Sequence, residues 1–213
     1  MRHSRRLFIT RLGLATALCA SSARWAAAQL GGRPAADWIR TLERPERVSS
    51  LRIPEVIARL DLRPGMAIAD IGAGPGVFTL PFARAVAPGT VYAVEVDQAL
   101  LDHIGVRAGE QQVSNVRLVL GKFEDPAIPA TNVDLAFFHD VLHHVADRDT
   151  YVRNLARYIA PGGRVAIIER AEGRDGEMHL TQAQVTAMMA GAGFTQVRMV
   201  DLFTDKSFAI YSR

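Results

Sequence analysis

The chain has 213 residues, of which 49% are hydrophobic and 22% charged, a composition typical of one soluble globular domain with a single core. Its formal net charge is +3, but five arginines and no acidic residue fall within residues 1–28, so the remainder carries −2. A slightly acidic body has no electrostatic footprint for polyanions, which argues against nucleic acid as a partner. No run reaches the ~18 uninterrupted apolar residues of a membrane span, so stable membrane insertion is not expected.

Residues 1–28 contain the three parts of an export signal in their usual order. The pair Arg5-Arg6 resembles a twin-arginine signal, a modest apolar segment follows over 12–20, and an A-x-A cleavage site lies at 26–28. We therefore predict a signal peptide over 1–28 that is removed after export to the periplasm, with the twin-arginine export machinery as a partner. The alternatives are an amphipathic N-terminal helix and a cytoplasmic protein.

Residues 29–60 are predicted to form an N-terminal helical segment that covers the pocket. The helical pattern is expected in two pieces, because Pro45 cannot donate a backbone hydrogen bond. Each piece has an apolar stripe that could pack on the core or roof a ligand. We favour packing for the second piece and leave the first open.

Apolar runs then alternate with helix-like stretches through residues 61–213, the pattern of α/β layering. Buried strands are predicted at 66–71, 91–96, 116–120, 133–138 and 164–169, with helices at about 77–86, 98–112 and 149–159. Right-handed crossovers would make these strands parallel. Thr181 and Gln184 form a capping-box pattern for a further helix that runs to about 190. Strand candidates at 196–202 and 207–211 are joined by a short connection, which predicts an antiparallel hairpin at one edge of the sheet.

The strongest local signal is the turn Asp70-Ile71-Gly72-Ala73-Gly74-Pro75-Gly76, which follows the first strand and opens a helix. Its glycines permit unusual backbone angles and close approach of a ligand, and the helix N-terminus presents free N–H groups. Such a turn suits a nucleotide or an amino-acid carboxylate. A dinucleotide fingerprint would need glycine where Val77 stands, which disfavours an oxidoreductase of the NAD type.

This turn resembles the first motif of class I S-adenosylmethionine-dependent methyltransferases, and the resemblance spans about residues 35–213. It implies an α/β, Rossmann-like doubly wound fold, whose mostly parallel seven-stranded sheet carries an antiparallel C-terminal hairpin strand. The implied cofactor is S-adenosyl-L-methionine. The turn residues Gly72, Ala73, Gly74 and Gly76 would lie against its methionine and ribose portions, and Asp70 would help hold its ammonium group.

The ends of the second and third strands supply the remaining cofactor candidates. Glu95 lies 19 residues beyond Gly76, where an acidic residue can accept both ribose hydroxyls, as the matching family residue does. Relatives often carry an acidic residue that reaches adenine after the glycine matching Gly121. Here that position is Lys122, which cannot accept a hydrogen bond. Adenine recognition is therefore left to Glu124, Asp125 or backbone groups, with Glu124 as our candidate.

The segment after the fourth strand, His139-Asp140-Val141-Leu142-His143-His144, resembles the family pattern of a strand followed by paired histidines. Residues there commonly face the methyl-accepting atom, where positioning and a base assist transfer. We predict Asp140, His139 and His143 as catalytic. The alternatives are that the histidines are capping or core residues, or that His139, His143 and Asp140 bind a metal; no metal site is predicted.

The sequence thus predicts methyl transfer from S-adenosylmethionine to an unidentified small-molecule acceptor, since no substrate domain is inserted. Two rivals stay open: a non-catalytic S-adenosylmethionine- or nucleotide-binding protein of the same fold, and less favoured, an NAD-type oxidoreductase. Lys122 and the export signal both keep the first rival open. Because S-adenosylmethionine is made in the cytosol and the twin-arginine route exports folded proteins, we hypothesise that the protein travels with its cofactor bound.

Overall fold

A computed structural model describes residues 33–170 and 180–213, so the predicted signal peptide lies outside the described residues. The strands are β1 Ile68–Ile71, β2 Val91–Glu95, β3 Val116–Leu120, β4 Val133–His139, β5 Ile159–Arg170, β6 Thr195–Met199 and β7 Lys206–Ser212. The helices are α1 Ala35–Leu42, α2 Pro45–Ser50, α3 Ile53–Arg59, α4 Thr79–Val86, α5 Gln98–Glu110, α6 Arg148–Leu155 and α7 Gln182–Gly191, with a short 3-10 helix at Leu142–His144.

The strands form one seven-stranded sheet in the order β3-β2-β1-β4-β5-β7-β6. β1 to β5 are parallel, whereas β7 runs antiparallel to both β5 and β6. This arrangement confirms the predicted α/β, Rossmann-like fold with its antiparallel C-terminal hairpin. The direction of winding reverses between β1 and β4, and ligands of such sheets bind at the carboxyl ends of the strands at this point.

The core lies on both faces of the sheet because β4 is buried on both sides. Side chains alternate along a strand, so Phe137 and Phe138 join different apolar clusters. Helices α6 and α7 cover the Phe138 face, and α3 and α4 cover the Phe137 face. Val56 and Leu60, in and just after α3, are fully buried there, as predicted for the second N-terminal piece.

Between residues 33 and 60 the structure describes three helices, so the prediction of two pieces is wrong. Pro45 begins α2, where its missing N–H costs nothing, and this accounts for the predicted break. A second break follows at Arg52, whose φ of 51° is left-handed, just before Pro54 in the first turn of α3. Pro54 has no N–H to donate to the carbonyl of Ser50, and its ring would clash with that carbonyl, so α2 cannot continue unbroken into α3.

Several other boundaries differ from the predictions; for example, β1 begins at Ile68 rather than 66, and α6 ends at Leu155 rather than 159. β5 begins at Ile159 rather than 164, because the segment 161–163 forms an irregularity within the strand instead of a turn before it. A Cβ at Gly163 would lie 2.9 Å from the carbonyl oxygen of Val133, so glycine permits this close pairing with β4. β6 ends at Met199, which makes the connection to β7 longer than expected. The capping box of Thr181 and Gln184 is present.

Candidate cofactor and acceptor site

The glycine turn lies between β1 and α4 with three left-handed residues. Gly72, Gly74 and Gly76 have φ values of 64°, 55° and 82°. A Cβ at Gly72 would meet the Val141 side chain at 2.7 Å, so the turn packs directly against the segment after β4. The N–H of Ala73 donates to the carbonyl of Val94 at 3.0 Å and holds the turn against β2. The turn therefore exposes backbone at the switch point without Cβ atoms in the way.

Asp70 lies buried on β1, with the turn immediately after that strand. Its Oδ2 accepts a hydrogen bond from the Thr79 hydroxyl at 2.6 Å. Burial raises the pKa of Asp70 to about 7, and the neighbouring charge of Glu95 adds to the effect while the Thr79 hydrogen bond opposes it. A cation placed beside this carboxyl would favour its ionised form, so the group is suited to an ammonium partner.

Glu95 ends β2 and connects that strand to the glycine turn. Its Oε2 accepts from the N–H of Gly74 at 2.9 Å, and its Oε1 accepts from the N–H of Val96 at 2.7 Å. The side chain is buried, and burial raises its pKa despite these amide contacts. Each carboxylate oxygen has a second lone pair, so Glu95 retains capacity for ribose hydroxyls.

The segment after β3 contains two acidic candidates for adenine recognition, and their surroundings differ. Asp125 is engaged within the fold: its carboxylate accepts from the Tyr158 hydroxyl at 2.7 Å and from Arg157 at 2.6 Å. Glu124 and Lys122 are exposed. The exposed carboxylate of Glu124 is therefore the freer of the two candidates.

Asp140 follows β4 with a left-handed φ of 54°. In proteins generally, such unfavourable backbone conformations cluster at functional sites. Its carboxylate accepts from Nζ of Lys206 at 2.7 and 2.5 Å. Burial opposes ionisation, yet His139 and Lys206 together lower the pKa of Asp140 below its ordinary value. Asp140 is thus an ion-paired carboxylate. Sequence reasoning missed Lys206, whose place is set by the insertion of β7 beside β5.

His139 is the last residue of β4, and its side chain is only 6% exposed. Its ring packs against Phe78 at 5.2 Å between centroids, and Nδ1 lies 3.4 Å from Oδ2 of Asp140. Burial lowers the pKa of His139 to about 4, so the ring is neutral near pH 7. Its Nε2 is buried and has no hydrogen-bond partner in the part of the chain that the structure describes.

His143 is held by Glu169, a second residue that sequence reasoning missed. Nδ1 of His143 lies 2.7 Å from Oε2 of Glu169, while Oε1 accepts from the N–H groups of Val141 and Leu142 at 3.0 and 2.7 Å. The Glu169 side chain is fully buried. A carboxylate on Nδ1 fixes the proton there, which leaves the lone pair of Nε2 available to accept a proton. Its place next to the last residue of β5, at the carboxyl end of a predicted strand, is the signal that could have indicated it.

The end of α1 contacts the glycine turn and α5. Glu43, just after α1, accepts from Nη1 of Arg107 at 2.7 Å and lies 2.9 Å from Nε2 of His103, both on α5. Nη1 of Arg107 also donates to the carbonyl of Pro75 at 2.9 Å. The Leu42 side chain lies 3.3 Å from where a Cβ on Gly74 would stand. The end of α1 is thereby tied to the turn.

The metal alternative has no assembled ligand set. Across residues 33–170 and 180–213, no group of three or more histidine, cysteine or acidic side chains is positioned to hold a metal ion. The three residues of that alternative have other partners or surroundings, since His143 contacts Glu169 and Asp140 contacts Lys206.

None of the helices described here is long and apolar enough to cross a membrane.

The match with known proteins covers the glycine turn, the end of β2 and the segment after β4. Residues 69–167 match the family model described as "Methyltransferase domain", from β1 through most of β5. Over these residues the chain is similar to a methyltransferase domain. Among the solved structures similar to this chain, one is described as a SAM dependent methyltransferase and another contains S-adenosylhomocysteine.

Individual relatives share this domain at low identity. Nocamycin O-methyltransferase of Saccharothrix syringae is 29% identical over 109 residues, which cover 51% of this chain and 39% of that protein. The chain spans about a third to a half of the curated relatives it matches, from 32% to 51% of their length.

Two solved structures show the fold. A SAM dependent methyltransferase from Aquifex aeolicus has a TM-score of 0.75 at 22% identity, covering 84% of this chain and 98% of that one. The second is 1,6-didemethyltoxoflavin-N1-methyltransferase of Burkholderia thailandensis, solved with 1,6-didemethyltoxoflavin and S-adenosylhomocysteine. It has a TM-score of 0.65 at 17% identity, covering 97% and 93%.

Proposed function

We propose that the protein transfers a methyl group from S-adenosylmethionine to a small-molecule acceptor. The observation that carries the proposal is the left-handed glycine turn at the β1–β4 switch point, bordered by the buried carboxyls of Asp70 and Glu95. The turn permits close approach, and the two carboxyls offer partners for an ammonium group and for ribose hydroxyls. When bound, the cofactor supplies an electrophilic methyl group at this point.

The cofactor residues follow from this placement. Gly72, Ala73, Gly74 and Gly76 would line the methionine and ribose portions; Asp70 would bind the ammonium group, Glu95 the ribose and Glu124 the adenine. The pKa of Asp70 supports the assignment of this residue to the ammonium group. A buried carboxyl whose pKa is about 7 ionises readily at neutral pH when a cation binds beside it. The free lone pairs of Glu95 support its assignment to the ribose.

On the acceptor side, His143 is the best suited of the three catalytic candidates to act as base. Its Nδ1 is held by Glu169, so Nε2 can take a proton from an acceptor hydroxyl or amine. His139 is buried with a pKa of about 4, and Asp140 is ion-paired with a lowered pKa, so both are weak bases. We assign these two residues to the wall of the acceptor site.

The covering of the site and the location of the protein are further parts of the proposal. The contacts of Leu42 and Glu43 with the glycine turn and α5 support a role for residues 29–60 in covering the pocket. The order of signals in residues 1–28 supports export through the twin-arginine machinery. Cell fractionation tests export: protein recovered only in the cytoplasm, at full length, would contradict it.

Calorimetric titration tests the cofactor proposal. S-adenosylmethionine and NAD are titrated separately into the protein and into its Asp70→Ala and Glu95→Ala variants, with exposed Glu110→Ala as the matched control. We expect binding of S-adenosylmethionine alone, weakened by both site substitutions and not by the control. Binding of NAD alone would favour the oxidoreductase rival.

Turnover separates the enzyme from the non-catalytic rival. Formation of S-adenosylhomocysteine is measured with the wild-type protein against a panel of small phenols, amines and quinols. Acceptor-dependent product that His143→Gln abolishes supports the enzyme. Tight cofactor binding with no product from any member of the panel would favour a binding protein.

A further inference from the structure

Arg47 is a half-buried cation on α2 with little to compensate its charge. Its Nη1 donates to the carbonyl of Leu42 at 3.0 Å, and within the described residues it forms no ion pair. A partly desolvated guanidinium without an anionic partner is unfavourable, and burial lowers the pKa of Arg47 accordingly. An arriving anion would remove this penalty.

The position of Arg47 places that charge at the candidate site. Its hydrogen-bond partner, Leu42, also contacts the glycine turn at Gly74. On the other side, Arg47 is close enough to His139 and Asp140 to interact electrostatically with both. The guanidinium therefore lies near both the cofactor turn and the end of β4.

Among the described residues, the carboxylates around the site are engaged by other groups and form no ion pair with Arg47. Asp140 is already engaged by Lys206 through both of its oxygens. Asp70 and Glu95 are bound to Thr79 and to backbone amides respectively. The donors of Arg47 other than the one given to Leu42 are therefore available to a ligand, and its planar fork matches a carboxylate bidentately.

We propose that Arg47 binds a carboxylate of a ligand at the β1–β4 switch point. This inference rests on the proposed function. The carboxylate has two sources: the methionine portion of the cofactor, whose ammonium group is assigned to Asp70, or an acidic acceptor. In the first case Asp70 and Arg47 form a charge-complementary pair for a zwitterion.

Calorimetry with paired probes tests the first source. S-adenosylmethionine and its decarboxylated analogue, which keeps the ammonium group, are titrated into wild type, Arg47→Gln, Arg47→Lys and the exposed control Arg59→Gln. If the cofactor is the source, Arg47→Gln weakens the binding of S-adenosylmethionine about tenfold to a hundredfold. The affinity for the decarboxylated analogue stays within about twofold of the wild-type value. Arg47→Lys keeps the charge without the fork and should fall between, and Arg59→Gln should change neither.

A second arm tests the acceptor as source. With saturating S-adenosylhomocysteine, benzoate and benzamide are compared, together with their 4-hydroxy and 3,4-dihydroxy forms. Preference of the wild type for acids over amides that Arg47→Gln removes supports this source. The proposal would be overturned if Arg47→Gln weakened the binding of S-adenosylmethionine and of its decarboxylated analogue equally. It would also be overturned if Arg47→Gln left both affinities unchanged and the wild type showed no preference for acids.

Different results would contradict the proposed function and the role of Arg47. A wild-type protein that does not bind S-adenosylmethionine defeats the proposed function. Normal binding that Arg47→Gln leaves intact, without acid preference, defeats only the role of Arg47. Thermal unfolding of each variant separates a lost contact from a lost fold.

Discussion

The cofactor side and the acceptor side of the site are built in different ways. On the cofactor side, the glycine turn and Glu95 come from adjacent segments, and their main contacts are to backbone amides. On the acceptor side, two of the candidate side chains are paired with one from another strand: His143 with Glu169, and Asp140 with Lys206. In the proposed function, the first side would recognise one cofactor through local backbone geometry. The second side would change its acceptor by side-chain replacement on several elements, which suits a fold that serves many functions.

The largest expected effect breaks the acceptor side alone. His143→Gln removes the proposed base and should lower kcat by about a hundredfold to ten-thousandfold, with the affinity for S-adenosylmethionine unchanged. Steady-state kinetics and calorimetry measure the two quantities, and His144→Gln is the neighbouring control. A parallel loss of cofactor affinity would show that the two sides are not independent.

Glu169→Ala should destabilise the acceptor side. It leaves the N–H groups of Val141 and Leu142, and Nδ1 of His143, without their carboxylate partner. We expect a loss of about 3 kcal/mol in the free energy of unfolding, measured by urea denaturation, against exposed Glu110→Ala. A loss no larger than that of the control would mean that water replaces the carboxylate.

On the cofactor side, Asp70 predicts a pH dependence. Its pKa is raised from 3.8 to about 7 in the folded protein, so between these values the folded state holds a proton that the unfolded state has lost. Its contribution to stability is therefore full below about pH 4, falls as pH rises, and is lost above about pH 7. Asp70→Asn should abolish this component, measured as the difference between variant and wild-type unfolding at pH 5 and pH 7.5 without cofactor. Equal pH slopes in both proteins would contradict the raised pKa.

The smallest expected effect concerns the tie between the N-terminal helices and the turn. Glu43→Gln weakens the contacts with Arg107 and His103, which are partly exposed and so worth little each. The dissociation rate of S-adenosylmethionine should rise about twofold to fivefold in stopped-flow measurements. Glu46→Gln, exposed on α2, is the control. An unchanged rate would remove the support for a covering role of α1.

The sequence by itself determined the parts that depend on neighbouring residues. The turn from Asp70 to Gly76, the place of Glu95 at the end of β2 and the capping box of Thr181 each rest on a local backbone geometry that only certain residue types adopt. The parallel strands followed from alternating apolar runs and the handedness of their crossovers. The second break in the N-terminal helices, at Arg52, was also local, but the proline signal for it was missed.

Only the tertiary structure decided the partners on the acceptor side. Lys206 reaches Asp140 across 66 positions of sequence, and Glu169 reaches His143 across 26. Both pairs depend on the strand order β4-β5-β7, which no local pattern encodes. The burial that makes His139 a neutral ring likewise comes from packing of β4 against the helix that follows the glycine turn. Charge state and pairing are set by what surrounds a side chain, and those surroundings exist only once the sheet has formed.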